Sequence, residues 1–287
     1  MAKKTYDFAF SCGAVCAVTQ ALRAADAQFA SLPFDWTASP SVVRCAKTVA
    51  DDFAHWMDRD DLELVEIRRG GLNKRVYRNR QTGFGFVHDF TLFKPFDETY
   101  PVEAAKYARR IARFQKGLAA AKRVLVVAME WAILPRLSDD ALAEAKRIFE
   151  TRYPNATFDI LYFYCEDGHR DARVVSDANG VTVVACDYRT YVDGLLNHVV
   201  DNTALIRYLK ENVSVADPRT DAEKAKYADD WKKQDADRWK GRSWLETMVN
   251  RSAFRLYRKL ESFLARKGLV PKELPFWMNP KTEEERL

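Results

Sequence analysis

The chain has 287 residues and a mass of 33.0 kDa; 47% of its residues are hydrophobic and 30% are charged. This composition supports a substantial buried core and excludes disordered, collagen-like and purely coiled-coil proteins. The net charge of +5 is a mild excess of positive charge, which by itself neither indicates nor excludes a nucleic-acid partner. Five cysteines in a chain of this length do not form a disulfide framework, so we expect free thiols.

The amino terminus predicts a cytoplasmic protein. The first seven residues are polar, and the apolar stretch after them is broken by Cys12 and Gly13, which leaves it too short for a signal peptide. No window approaches the roughly 20 apolar residues that a membrane-spanning helix needs.

The first half of the chain predicts helices around a β-rich middle part. An apolar run over 6–11 ends at a glycine turn, and 14–25 repeats apolar residues at helical spacing. Ser39-Pro40-Ser41 then predicts the start of a second helix whose apolar face extends to Met57. Three short strands are predicted after it, at 62–67, 76–77 and 84–88.

The second half predicts parallel strands joined by helices. Pro101 opens a helix to about Ala121, and Ser138 begins the next one. Three apolar runs, at 124–128, 158–164 and 181–185, read as buried strands, the last of them the final strand. We therefore expect an α/β fold: a layered mixed or mostly parallel sheet flanked by helices. Its α/β domain spans 1–200, and a charged helical extension spans 201–287.

Cys12 and Cys16 lie where the first strand passes through Gly13 into the first helix. In layered α/β folds this turn lies at the carboxyl edge of the sheet, where ligands bind, and a helix N-terminus favours a thiolate. Cys16 is the better nucleophile if the helix starts near Gly13 or later, whereas Cys12 is better placed if it caps the helix. The alternative is that both thiols are small apolar fillers between strand and helix.

A nucleophilic cysteine needs a base, and His88 is the histidine that ends an apolar strand. Strand alternation places His88 on the side of Phe84 and Phe86, where partial desolvation would suit a general base. Asp89 follows it directly, and Asp35 is a second acid that either orients the imidazole or caps a turn. The alternative is that His88 is a neutral histidine whose ring nitrogens are satisfied by the backbone.

Positive charge is concentrated in two stretches, one over 68–80 and one on the helix after Pro101. If both surfaces meet near Cys16, they would hold an anionic small molecule or a carbohydrate-carrier substrate, such as coenzyme A or a nucleotide sugar. The candidate binding residues are Gly13, Trp36, Arg75, Arg78, Arg109 and Arg113. Nucleic acid would use the same charges and is the less favoured partner, and charge runs are also common on solvated faces.

The sequence does not favour a metal site. Cys12 and Cys16 are four residues apart, as are Cys165 and His169, but the intervals differ from those of zinc ribbons and fingers. We therefore expect no metal and no resident cofactor, with coenzyme A as a candidate acyl donor.

Five segments of the chain occur in the order found in a known family. They are Phe10–Cys16, Leu32–Trp36, Val87–Phe90, Arg109–Phe114 and Val124–Val127. Together they resemble a bacterial family of unknown function described as papain-like cysteine peptidases. The resemblance implies that Cys16 is the nucleophile and His88 the base, with Asp35 and Asp89 as the remaining acids. Cys12 replaces the leucine usual in the first motif, and Ala128 stands where the family often has arginine.

The start of the chain is also similar, more distantly, to a capsule-biosynthesis family with a Gly-Asn-Cys turn, which implies a coenzyme A-dependent acyltransferase. We therefore expect a cysteine-nucleophile hydrolase or acyl transferase that acts on an acyl or peptidyl carbonyl. A non-catalytic module that binds a carbohydrate or nucleotide carrier is the second hypothesis. An RNA-binding protein is the third.

Overall fold

The central sheet of the molecule is mostly parallel. The computed structural model describes residues 3–13, 16–68, 73–192, 195–196 and 200–225. The central sheet consists of β2 (Phe8–Ser11), β7 (Arg123–Met129), β8 (Thr157–Cys165), β9 (Arg173–Ala178) and β10 (Val181–Cys186). Their order is β2-β7-β8-β10-β9, in which only β9 runs antiparallel to its neighbour. The predicted layered, mostly parallel sheet is confirmed, and β9 is an edge strand that the sequence analysis missed.

The two faces of the central sheet bury two separate cores. Along β7, Val124 and Val126 belong to one apolar cluster, whereas Leu125 and Val127 belong to the other. Successive side chains of a strand point to opposite faces, so an unbroken apolar run covers both. This arrangement explains why the run at 124–128 has no polar residue.

A second, smaller sheet is antiparallel and positions His88. Its order is β3-β6-β5-β4. The strands are β3 (Thr37–Ala38), β4 (Leu62–Arg68), β5 (Lys74–Asn79) and β6 (Gly85–Thr91). The β-rich middle part predicted from the sequence is this sheet.

Five α-helices flank the sheets in the described part of the chain. They are α1 (Ala17–Ala24), α2 (Val42–Ala50), α3 (Phe96–Ala120), α4 (Asp139–Arg152) and α5 (Thr203–Asn212). The Ser41 and Ser138 hydroxyls accept hydrogen bonds from the backbone N–H of Arg44 and Ala141. These side-chain caps confirm both predicted helix starts.

Two predicted helix bounds are wrong. The second helix ends at Ala50 rather than near Met57, and the chain then turns through positive φ angles at Asp52, Phe53 and His55. This turn buries Phe53 and Trp56 in the core. His55 therefore lies in a turn and not on a helix.

The third helix begins at Phe96, and Pro101 lies inside it. The Phe96 ring packs against Tyr77 and Phe90, with centroid distances of 4.8 and 5.3 Å. Because this packing and the acidic first turn favour the helix, it begins before the proline despite the hydrogen bond that Pro101 cannot donate.

The region after Tyr191 is not wholly helical, which corrects the sequence prediction. Two short antiparallel strands are present, β11 (Tyr191–Val192) and β12 (Leu195–Leu196). After α5, β13 (Val213–Val215) pairs in parallel with β1 (Lys4–Tyr6), so Val181–Cys186 is not the last strand.

Part of the predicted extension packs onto the α/β unit. Leu205 and Leu209 of α5 lie in the same apolar cluster as Val18 and Leu22 of α1. Residues 226–287, which hold most of the predicted extension, lie outside the described residues, as do Arg69 and His198. Within the described ranges, no helix is both long and apolar enough to cross a membrane.

Candidate active site at the carboxyl edge of the first parallel strand

Cys16 lies at the start of α1, just beyond the carboxyl end of β2. It is the N-cap residue, its side chain is half-buried, and its carbonyl accepts a hydrogen bond from the N–H of Gln20 at 3.0 Å. The N-terminus of α1 offers unpaired amides and the positive end of the helix dipole. A strand and a helix are present as predicted, but the strand spans Phe8–Ser11 and the helix spans Ala17–Ala24, and residues 14–15 lie outside the described residues. Cys16 lies at the edge of the sheet where ligands bind in such folds.

Cys12 is in a different environment from Cys16. It is 2% exposed, and its N–H donates to the carbonyl of Val127 at 2.8 Å. Burial raises the pKa of the Cys12 thiol well above its ordinary value, and a hydrogen bond with the Cys45 thiol raises it further. Cys12 therefore fits the role of an apolar filler between strand and helix, and Cys16 is the accessible thiol of this turn.

The Cys16 thiol has a raised pKa and keeps its proton to a higher pH than an ordinary cysteine. Burial raises its pKa, and a hydrogen bond from its own backbone N–H opposes that shift. The Nε2 of Gln20 lies 3.9 Å from the Cys16 Sγ. Sequence reasoning missed Gln20, although an amide side chain four residues along a helix reaches the same face.

His88 is exposed, which contradicts the expectation that it shares the side of Phe84 and Phe86. Both phenylalanines are fully buried, whereas a bulge in β6 places three residues, 87–89, opposite Val76 alone. A bulge redirects side chains and breaks the alternation on which the expectation depended. The imidazole packs edge-on against the Trp36 ring, with centroids 6.1 Å apart.

The pKa of His88 lies below its ordinary value. Surrounding protein atoms withdraw the ring from bulk water and are the main cause. Asp89 opposes this shift, and the nearby cations Arg68, Lys74 and Lys106 add to it. A neutral imidazole is therefore available at neutral pH, which is the form that a general base needs.

Asp89 is bonded to α3, and no hydrogen bond joins it to His88 in the described part of the chain. Its carboxylate accepts hydrogen bonds from Lys106 Nζ at 2.6 Å and from the Tyr107 hydroxyl at 3.0 Å, both on α3. Asp89 is buried, and it contributes with burial to a raised pKa of Tyr107. In the described structure this acid anchors the bulged strand to α3, while its predicted catalytic role remains a prediction.

Asp35 is a buried, multiply bonded carboxylate. It is 1% exposed and accepts hydrogen bonds from Gln28 Nε2 and the Leu32 N–H, both at 2.8 Å, and from the Ser11 hydroxyl at 3.1 Å. Burial raises its pKa, and these donors, with Arg23 at 3.5 Å, oppose that shift. Asp35 thus ties the loop after α1 to β2, and its bond to Leu32 caps a turn.

Trp36 connects the helix that begins at Cys16 with the strand that carries His88. The Arg23 guanidinium of α1 lies 5.5 Å from the centroid of the Trp36 ring, and the His88 ring packs against the same indole. No hydrogen bond joins Cys16 Sγ to His88 in the described structure. Trp36 contacts His88 and Arg23, and Arg23 lies on the helix that begins just after Cys16.

A small apolar cluster brings the two sheets together at this edge. Trp131, just beyond the carboxyl end of β7, packs with Ala38, Val76 and Val87 of the small sheet. Since β7 is the strand next to β2, the turn that carries Cys16 and the bulge that carries His88 lie at the same end of the central sheet.

A family model described as putative papain-like cysteine peptidase, a domain of unknown function, matches residues 7–168, more than half of the chain. The chain belongs to this family. No curated protein and no solved structure matches it. The matched part of this papain-like family member includes Cys16, Asp35, His88 and Asp89.

Three of the arginines predicted to bind substrate make internal bonds in this family member. Arg75 donates to the carbonyls of Thr91 and Lys94, at 2.6 and 2.9 Å. Arg78 pairs with Glu63, and Arg113 donates to the Ser31 carbonyl. These bonds hold loops and strands in place, and substrate binding by these arginines stays a prediction.

Two further candidate binding residues lie near the surface or at the turn. Arg109 is exposed on α3, and no ion pair involves it within the described ranges. Gly13 follows Cys12 at the end of β2, where its backbone borders the turn that carries Cys16.

The cysteines weighed as metal ligands have other partners. The Cys165 Sγ lies 3.7 Å from the Asp187 carboxylate, and the Cys12 thiol is hydrogen-bonded to the free Cys45 thiol. Across the described residues, the grouping with ligand-like spacing is His55, Asp58 and Asp61, in which the His55 Nδ1 lies 3.0 and 3.4 Å from the two carboxylates. These distances describe a histidine held by the exposed Asp58 and the half-buried Asp61, and sequence reasoning missed the grouping.

Proposed function

We propose that this family member is a cysteine hydrolase in which Cys16 attacks an acyl or peptidyl carbonyl and His88 moves the proton. The observation that supports this proposal is the contact of Trp36 with both Arg23 and His88. It relates the helix that begins at the half-buried thiol to the exposed imidazole, whose lowered pKa favours the neutral base.

The shifts of the two pKa values favour a neutral resting pair. A raised pKa keeps Cys16 as a thiol, and a lowered pKa keeps His88 as an imidazole. The imidazole therefore removes the proton as the sulfur attacks, because a thiolate is not formed in advance.

The reaction then has two balanced halves. Cys16 Sγ bonds to the carbonyl carbon, and the oxygen becomes an oxyanion near the unpaired amides at the start of α1. Collapse breaks the bond to the leaving amine or alcohol, which takes the proton from His88 and leaves a thioester on Cys16. Water, deprotonated by His88, attacks the thioester and releases the acid and the thiol.

Acyl transfer is the second candidate, because it shares the first half and differs only in the acceptor. The cations near His88, Arg68, Lys74 and Lys106, favour it, since coenzyme A and nucleotide-linked acceptors are anionic. A coenzyme A thioester would then be the donor, and a hydroxyl group would replace water in the second half. The first half releases at most one equivalent of free coenzyme A per Cys16, so continued release of coenzyme A only when an acceptor is present would identify this reaction.

The first experiment is alkylation by iodoacetamide at neutral pH, followed by mass spectrometry of each cysteine. We expect Cys16 to be labelled, and Cys16→Ala to remove that label and to lower hydrolysis of an activated thioester by about 1,000-fold or more. Cys165→Ala is the matched control, since Cys165 is also a half-buried thiol.

Unchanged hydrolysis by Cys16→Ala would exclude Cys16 as the nucleophile. Stabilisation of that variant by a carbohydrate carrier, without any turnover by the wild type, would instead favour the binding module.

A further inference from the structure

The bulge in β6 sends three consecutive side chains in different directions. Val87 packs with Val76 and Trp131, and Asp89 lies buried against α3. His88, between them, remains exposed. The imidazole is therefore accessible to a ligand at the edge of the apolar cluster formed by Val76, Val87 and Trp131.

Lys74 lies near this bulge on the neighbouring strand β5, and Arg68 lies one strand further away, on β4. Lys74 of β5 is paired with Thr91 of β6 on one side and with Arg68 of β4 on the other. Strand alternation places the Lys74 side chain on the face of Val76, two residues along, and Trp131 packs against that face. The row Arg68, Lys74, Thr91 thus crosses the sheet beside His88.

The carboxylates of this region already have cationic partners. The pairs are Glu66 with Arg68, and both Asp89 and Glu103 with Lys106. Lys74 is half-buried, and no carboxylate of the described residues pairs with it. Burial is the main cause of the lowered pKa of His88; Arg68, Lys74 and Lys106 lower this pKa further, and Asp89 opposes them.

We propose that Lys74, on the same row as the Arg68–Glu66 pair, forms a subsite that holds an anionic oxygen group of the substrate, a carboxylate or a phosphate, near His88. The proposal rests on the proposed function, because the group belongs to the molecule whose carbonyl Cys16 attacks. The Lys74 ammonium supplies a compact charge with three donors, which suits such a group, whereas the Arg68 Nε and Nη2 already donate to Glu66. The sequence analysis had instead indicated Arg75, which is the next residue along β5 and pairs with Ile67.

The direct test follows the His88 ring by NMR in protein labelled at histidine, with His88→Ala used to assign its signal. The probes are inorganic phosphate, N-acetylglycine as a carboxylate, and N-acetylglycinamide as its neutral counterpart, all at constant ionic strength. We expect saturable shifts of the His88 signal with at least one anion and none with the amide. The anion that binds identifies the group as a phosphate or a carboxylate.

Variants of Lys74 make this test specific. Lys74→Gln should weaken anion binding by about 5- to 10-fold, since one charge at short range is lost, and Lys74→Arg should restore it. Lys116→Gln removes an exposed lysine elsewhere on α3 and should change nothing. Equal shifts with the amide and the anions, or binding by Lys74→Gln at full strength, would overturn the subsite.

A second measurement separates failure of the subsite from failure of the proposed function. Iodoacetate and iodoacetamide have similar size and differ in charge, so the ratio of their alkylation rates at Cys16 reports the local field. We expect a ratio about 3- to 10-fold above that of a free thiol, reduced in Lys74→Gln. If Cys16 is alkylated but the rate ratio of the two reagents equals that of a free thiol, the result contradicts the subsite and leaves the nucleophile standing. An unlabelled Cys16 contradicts the nucleophile, whereas the NMR result still decides the subsite.

Discussion

The two halves of the candidate site are built in different ways. Cys16 lies at the end of a regular strand that passes directly into a helix, whereas His88 lies on a bulged strand of a separate antiparallel sheet. Regular topology fixes the thiol at the carboxyl edge of the central sheet. The position of the imidazole depends instead on local contacts around the bulge, above all on Trp36 and on the anchoring of Asp89 to α3. The comparison indicates that His88 is more easily displaced by mutation than Cys16.

Loss of the imidazole should have the largest effect of the changes that test this difference. We expect His88→Ala to lower kcat/KM for an activated thioester by about 100- to 10,000-fold, the range typical of a general base. The variant should unfold like the wild type, because His88 is exposed. His55→Ala, which removes another exposed histidine, is the control. Equal kinetics of the two variants would remove His88 from the mechanism.

Loss of Asp35 should weaken the Cys16 half through stability rather than chemistry. Asp35→Ala leaves the buried donors of Gln28, Leu32 and Ser11 without their acceptor. We expect the free energy of unfolding in urea to fall by roughly 3 kcal/mol or more. Asp51→Ala, on the exposed end of α2, should change it by less than about 0.5 kcal/mol. A fall of similar size in both would show that the Asp35 network does not stabilise the turn.

Loss of the charge on Asp89 should affect the His88 half in particular. Asp89→Asn keeps an acceptor for Tyr107 but removes the ion pair with Lys106 beneath the bulge. We expect about 1 to 2 kcal/mol less stability, together with a change in the NMR signal of His88. Asp139→Asn breaks an exposed ion pair with Arg136 and should cost less than about 0.5 kcal/mol. An unchanged His88 signal in Asp89→Asn would show that the bulge is held by other contacts.

The smallest effect should appear in the pH profile. The acidic limb of the pH profile of kcat/KM reports the pKa of the general base. Because the pKa of His88 is lowered, we expect this limb at a pH below the ordinary range of histidine. Because Lys74 contributes to the lowering, Lys74→Gln should move the limb to higher pH. Lys116→Gln should leave it in place. A limb that stays fixed in Lys74→Gln would mean that another group governs it.

The parts of the fold that were predictable follow local rules. The unbroken apolar run of β7 predicts a strand that is buried on both faces. Serine caps at Ser41 and Ser138 mark two helix starts. The position of Cys16 between a strand and a helix was also predictable from local pattern, while its role as the nucleophile stays a prediction. These features depend on residues that are neighbours in the sequence.

The parts that were missed depend on contacts between distant residues. The bulge in β6 arises from pairing with β5 and leaves no pattern in the sequence of either strand. The early start of α3 depends on packing of Phe96 against Tyr77, and β13 is a strand because β1 lies beside it. The orientation of Asp89 toward Lys106 is of the same kind.

The order of the central sheet bears on how the molecule can be divided. The family match ends at residue 168, but β10 pairs with β8, and β9 covers β10 in turn. A fragment ending there would leave the apolar β8 with a row of unpaired amides and carbonyls, an edge that invites association with other chains. Protein engineers who seek a minimal folded fragment should therefore retain the chain through β13, whose pairing with β1 joins the last described strand to the first.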